Sequence, residues 1–364
     1  LCVKAQGELL VDRHNAFPMQ QLAVQSLFLG AAALLVAGQT DSPIIGILTT
    51  PLMSSECITL QRSARHLQNR SDSGASCFHS LYVKWLESAG ARVVPLLYNS
   101  PPAALDALFD SLNGVLFTGG ELDLRDLASP YMQAASRLLK RAVVASRAGK
   151  HVPVWGTCQG MQLLSVLVAE DASVLKKKAF DSESLMLPLH LVSPDRTRKS
   201  RMLRSLSADA LSWLTSENVT VNLHHDGIAP QAFQDNPKLS SFFRVVSTNL
   251  DRRQSTFVST IEGREVPVYG VQWHPERPQF QFSSSAGEYG ISHSEHAIQA
   301  MQAIANFFVS EARKNDRHFA TVAEEAQNLI YNWVPAGLLG DSYQAYVFPG
   351  PAELRGENGW PMFV

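Results

Sequence analysis

The chain has 364 residues, of which 45% are hydrophobic and 18% charged, with a formal net charge of −2. That composition can bury a large core and excludes a disordered chain, and the near-neutral balance gives no support to nucleic-acid binding. No Cys or His spacing points to a metal site, and nothing in the sequence asks for a cofactor.

Leu27 to Gly38 is an apolar stretch too short for a stable membrane span, and it ends in small residues. It reads as a signal peptide cleaved between Ala37 and Thr40, with an uncleaved anchor as the alternative. Met19 is read as the natural start, which sets residues 1–18 aside. Residues 1–40 are then an upstream segment and signal peptide, 41–348 one catalytic domain, and 349–364, rich in Pro and Gly, a mobile tail.

From there the chain alternates strands and helices. Short apolar runs at Ile44 to Leu48, Val93 to Leu97, Val115 to Phe117, Val152 to Trp155 and Val268 to Gln272 suit strands buried in a parallel sheet. Helical patterns lie between several of them, at Phe78 to Ala89, Tyr131 to Ser146 and Gln159 to Val168. The expected fold is a three-layer α/β sandwich with a mainly parallel central sheet and its site at the carboxyl ends of the strands. Lys176-Lys177-Lys178 reads as a solvated loop or helix end, and Asp181 to Asp226 as irregular, carrying substrate-facing loops and some antiparallel strand.

Two glycines flank Cys158 in Gly156-Thr157-Cys158-Gln159-Gly160, where an apolar run gives way to a helical pattern. A strand that turns sharply into a helix needs glycine on either side of its apex, and the helix N-terminus favours thiolate over thiol. Cys158 is therefore the candidate nucleophile. His274 and Glu276 stand two residues apart after the Val268 run. In extended chain that spacing puts both on one face, so Glu276 can orient His274 as a base. Gly119-Gly120, closing the Val115 run, and the residue after Cys158 can supply oxyanion donors through the N–H groups of Gly120 and Gln159.

Taken together, Pro43 to Leu48, Tyr82 to Pro95, Phe117 to Gly120, Trp155 to Gly160, Pro267 to Pro275, Gly290 to His293 and Glu311 to Asn315 resemble the γ-glutamyl hydrolase family, over about Pro43 to Phe348. The resemblance implies the class I glutamine amidotransferase-like fold and removal of γ-linked glutamates from folate polyglutamates or other γ-glutamyl peptides. It also implies residence in lysosomes, vacuoles or outside cells, and suggests a homodimer. By that resemblance Cys158 is the nucleophile and His274 the base, backed by Glu276. It further assigns His224, in Asn222-Leu223-His224, a part in substrate binding, although His224 also reads as a polar loop residue near Asp226.

Where the family usually carries glutamate, four residues past the nucleophile, this chain has Gln162. Cys-Gln-Gly-Met-Gln looks more like the glutaminase branch, in which that glutamine contacts substrate. Hydrolysis of glutamine or of small γ-glutamyl amides is thus the alternative activity, and a non-catalytic γ-glutamyl binder is a second. Arg125 is a candidate contact for a polyanionic glutamyl tail. Asn69-Arg70-Ser71 and Asn218-Val219-Thr220 are glycosylation acceptor patterns that fit secretory routing. With Cys158 reserved for chemistry, Cys57 and Cys77 either form one disulfide or both stay unpaired.

Overall fold

Along Ile44–Leu48 (β1) successive side chains enter opposite layers: Ile44 and Leu48 join one hydrophobic cluster, Ile45 and Ile47 the other. The same alternation holds in Gly114–Phe117 (β3), where Val115 and Phe117 face one layer and Leu116 the other. Strands buried on both faces need apolar residues at every position, which is why they read as continuous apolar runs. The computed structural model describes residues 40–52, 74–282, 290–337 and 344–350. The expected signal peptide, Cys57, the Asn69 acceptor pattern and nearly all of the expected tail lie outside them.

β1 and β3 belong to an eight-stranded sheet with Arg92–Leu96 (β2), Val154–Thr157 (β4), His190–Leu191 (β5), Phe243–Leu250 (β6), Thr256–Gly263 (β7) and Val268–Val271 (β8). Its order is β2-β1-β3-β4-β8-β7-β6-β5. The pairings from β2 through β8 are parallel, and those of β7, β6 and β5 are antiparallel. Pro102–Ser111 (α2), Pro130–Arg147 (α3) and Gln159–Ala169 (α4) cover one face. Ser80–Ser88 (α1), Ala208–Ser216 (α5) and Glu295–Ala312 (α6) cover the other. This is the expected three-layer sandwich. Among the described residues no helix is long and apolar enough to cross a membrane.

Sequence signals set the helix ends. Ser129 Oγ accepts from the Met132 N–H with Pro130 following it, and Ser294 Oγ accepts from the Ala297 N–H, so both long helices open on side-chain caps. The helix expected from Phe78 starts later: Ser76–His79 is a buried strand paired with Gln344–Phe348 and with Thr50–Pro51, and His79 is extended at φ −69°, ψ 140°. Pairing these backbone groups outweighs one more helical turn. β4 likewise begins at Val154, after Val152 and Pro153, and runs on to Thr157. Ser182–Leu187 and Thr220–His224 pair antiparallel, the kind of strand expected in the irregular stretch.

At the amino end of β4 the buried Glu311 of α6 takes hydrogen bonds from Tyr269 Oη (2.7 Å) and His151 Nε2 (2.9 Å), and pairs with Lys314. Burial pushes its carboxyl up, but the bonds from His151, Lys314 and Tyr269 outweigh it and hold the carboxyl down at about 2. A carboxyl depressed on folding contributes stability that is full above its unfolded value near 4.5 and is lost as pH falls toward about 2. Glu311→Gln should therefore cost about 2 kcal/mol at neutral pH and make unfolding less sensitive to acid between those values. Urea midpoints at pH 7 and pH 3 check this, and an equal acid loss in both proteins would contradict it.

Candidate active site

The carboxyl ends of three adjacent strands, β3, β4 and β8, bring the sequence candidates together. β4 ends at Thr157, and Cys158 then adopts φ 52°, ψ −109° before α4 starts at Gln159. That conformation costs a non-glycine residue about 1–3 kcal/mol. Neighbours enforce it. The Cys158 N–H donates to the Val271 carbonyl at 2.7 Å, prolonging the β4–β8 ladder. A Cβ on Gly156 would lie 2.5 Å from the Gly160 backbone, and one on Gly160 would lie 2.2 Å from the Phe117 carbonyl oxygen. Only glycines allow strand and helix this close. Cys158 is a buried thiol outside any disulfide, and Cys77 is disulfide-bonded.

β8 ends at Val271 and the chain continues through Gln272-Trp273-His274. His274 Nδ1 donates to Glu276 Oε1 at 2.7 Å, and both side chains are 2% exposed or less. Burial pushes the Glu276 carboxyl up, but the His274 charge and hydrogen bond, with Arg277 at 3.7 Å, outweigh it and leave it below the usual carboxylate range. An ionised acceptor on Nδ1 keeps the lone pair of His274 on Nε2, the arrangement a general base needs. The His274 N–H donates to the Val221 carbonyl at 2.9 Å, tying this loop to the Thr220–His224 strand.

Thiol and imidazole meet over Gly119. A Cβ built there would lie 3.1 Å from His274 Cε1 and 3.5 Å from Cys158 Cβ. The Gly119 N–H itself donates to Tyr82 Oη at 2.8 Å and is therefore already engaged. The Gln159 N–H lies in the first turn of α4, where backbone donors have no partner within the helix. The Gln159 side chain adds a task that sequence reasoning missed. Its Oε1 accepts from the Leu122 N–H (3.0 Å) and its Nε2 donates to the Leu122 carbonyl (2.8 Å), clamping the loop beyond Gly120 to α4.

His224 is buried, and its Nδ1 donates to the Asp226 carbonyl at 2.9 Å. Burial is the main reason its pKa is lowered to about 3, with His274 and His225 adding to the effect. It is neutral, and its Nε2 is a buried acceptor with no hydrogen-bond partner among the described residues. His225, in the bend just past that strand, bonds the Phe180 carbonyl through Nδ1 at 3.1 Å. Gln162 Nε2 donates to the Asp226 carbonyl (3.0 Å) and to Gln272 Oε1 (3.2 Å), one layer behind the thiol. Gln272 Nε2 lies 3.5 Å from Cys158 Sγ. Gln272 lies in the bend after β8, so no strand alternation singled it out in the sequence.

A family model described as Peptidase C26 matches residues 57–276, a span that includes Cys158 and ends on Glu276. "Gamma-glutamyl hydrolase" of Mus musculus is 40% identical over 269 residues, 73% of this chain and 81% of the mouse protein. The Homo sapiens protein of that name is 38% identical over the same shares. "Gamma-glutamyl hydrolase 1" of Arabidopsis thaliana is 35% identical over 312 residues, 85% of this chain and 83% of the plant protein. The chain belongs to the γ-glutamyl hydrolase family.

Arg125 is exposed and pairs with Asp123 at 2.5 Å, so its charge is largely answered by its own loop. Lys176 to Lys178 are exposed, as expected, and Lys177 pairs with Asp226 at 2.5 Å. Gln159→Leu keeps the length of the side chain and removes both bonds to Leu122. It should speed amide hydrogen exchange at Leu122 and its neighbours at least tenfold while the central strands stay protected. Unchanged exchange at Leu122 would show that other contacts hold this loop.

Proposed function

We propose that the chain is a thiol hydrolase that cleaves γ-glutamyl bonds of folate polyglutamates through a γ-glutamyl thioester on Cys158. The observation that carries this reading is the convergence of Cys158 and the Glu276-oriented His274 on the one space over Gly119. His274 Nε2 takes the Sγ proton, and the sulfur bonds to the γ-carbonyl carbon. The carbonyl oxygen becomes an oxyanion that accepts from the Gly120 and Gln159 N–H groups. As the tetrahedral adduct collapses, the C–N bond breaks and His274 returns its proton to the leaving amine. Water, deprotonated by the same Nε2, then attacks the thioester carbon and releases the γ-carboxylate and the thiol. His224 Nε2, a buried acceptor, suits a substrate N–H.

A secretory route to a vacuole, a lysosome or the outside is supported by the disulfide on Cys77, which persists in oxidising compartments, and by the exposure of Asn218 in its acceptor pattern. The second reading, hydrolysis of glutamine or small γ-glutamyl amides, is favoured by Gln162 alone. Glutamate release from a folate pentaglutamate, measured beside release from free glutamine, separates the two. Wild type should act on the pentaglutamate, and Cys158→Ala should fold normally and lose at least a thousandfold in rate. Preference for glutamine would move the chain to the second reading, and a variant retaining substantial activity would remove Cys158 from its role.

A further inference from the structure

The orientation of the Gln162 side chain is dictated by a group that can only accept. Its amide lies 3.0 Å from the Asp226 carbonyl oxygen, which has no proton to give, so the atom facing that oxygen has to be the NH2. The same NH2 lies 3.2 Å from the Gln272 amide, which must therefore present its oxygen there. That leaves the Gln272 NH2 facing Cys158 Sγ at 3.5 Å. The three side chains are 2%, 0% and 5% exposed, so little water reaches them to mask the direction of this relay.

We propose that Gln272 is a catalytic residue that donates a hydrogen bond to the Cys158 thiolate, and that Gln162 is the positioning residue that keeps the Gln272 NH2 turned toward the sulfur. This deepens the reading of Cys158 as a nucleophile, yet it makes no use of a γ-glutamyl substrate. An amide NH2 beside sulfur stabilises the thiolate; an amide oxygen in the same place favours the protonated thiol. Gln162 thus decides which form of the sulfur its surroundings reward. An ionised glutamate at 162 would face the Asp226 carbonyl with like charge and draw the Gln272 NH2 to itself, turning the Gln272 oxygen to the sulfur. A protonated one has a single proton for two acceptors.

Other titratable and charged groups surround this relay. His274 shares the space over Gly119, with Glu276 and Arg277 behind it. The Thr220–His224 strand and its turn contribute His224 and Asp226, the latter paired with Lys177. α1 contributes Tyr82 through the Gly119 N–H. The Gln272 amide itself bonds Gln162 and approaches the Cys158 sulfur.

The test is the pH dependence of Cys158 alkylation by iodoacetamide, quantified at the Cys158 peptide by mass spectrometry on the whole chain. Gln272→Met and Gln162→Glu are compared with wild type, and near-UV circular dichroism and thermal midpoints follow the fold. Both variants should move the alkylation midpoint up by about one pH unit, a roughly tenfold loss of thiolate below it. An unmoved midpoint in folded Gln272→Met overturns the proposal. A lower thermal midpoint in Gln162→Glu with an unmoved alkylation midpoint leaves Gln162 a structural part only, and overturns its positioning role. Should Gln272→Met fail to fold, Gln162→Glu decides alone. Failure of wild type to hydrolyse the pentaglutamate would count against the substrate reading and leave this one standing, because alkylation needs no substrate.

Discussion

Everything at the site depends on how closely α4 packs against the end of β3. The Gly160 Cα lies so near the Phe117 carbonyl that a single methyl group would fall 2.2 Å from the oxygen. That contact sets the start of α4 beside Thr118 and the loop that follows β3. It also fixes the backbone strain at Cys158. Between a strand paired to Val271 and a helix that cannot back away, φ 52° is the conformation left. The strain at Cys158 and the placement of α4 thus come from one steric constraint.

The two histidines near the thiol sit in contrasting electrostatic settings. His274 has an ionised carboxylate on Nδ1, which leaves the lone pair on Nε2. His224 has only a backbone carbonyl on Nδ1 and an apolar wall of Phe180 and Phe257, and stays neutral. Two protonatable imidazoles this close would compete for the same proton. Burying one without a carboxylate removes the competition and converts it into a fixed acceptor. The Asp226 carbonyl serves both His224 and Gln162, so one turn orients an imidazole and an amide on the same side of the site.

What the sequence disclosed follows from what was buried and how. The five parallel strands were legible because both faces are apolar, and the elbow because its glycines answer a steric demand that few other turns make. β6 and β7 escaped notice, since Ser247, Asn249, Ser259 and Thr260 interrupt any apolar run. The fold buries them by pairing them across strands, Ser247 with Thr260 at 2.8 Å and Ser259 with Asn249 at 2.6 Å. Such reciprocal satisfaction is invisible to a pattern that treats polar residues as exposed. Phe78 and His79 were read as the start of a helix because the helical pattern follows directly, and a distant partner at Gln344–Phe348 holds them in a strand instead.

The place of Gln162 in the motif suggests a contact to substrate, and its NH2 bonds the Asp226 carbonyl and Gln272 behind the thiol. A change from carboxylate to amide at this position reverses what the side chain can do, from accepting only to donating twice. Because the partners behind the thiol are an immovable carbonyl and a second amide, that reversal is transmitted to the sulfur instead of being absorbed by solvent. On the proposed reading, the amide pair therefore tunes the sulfur separately from the space over Gly119 that His274 and Cys158 border.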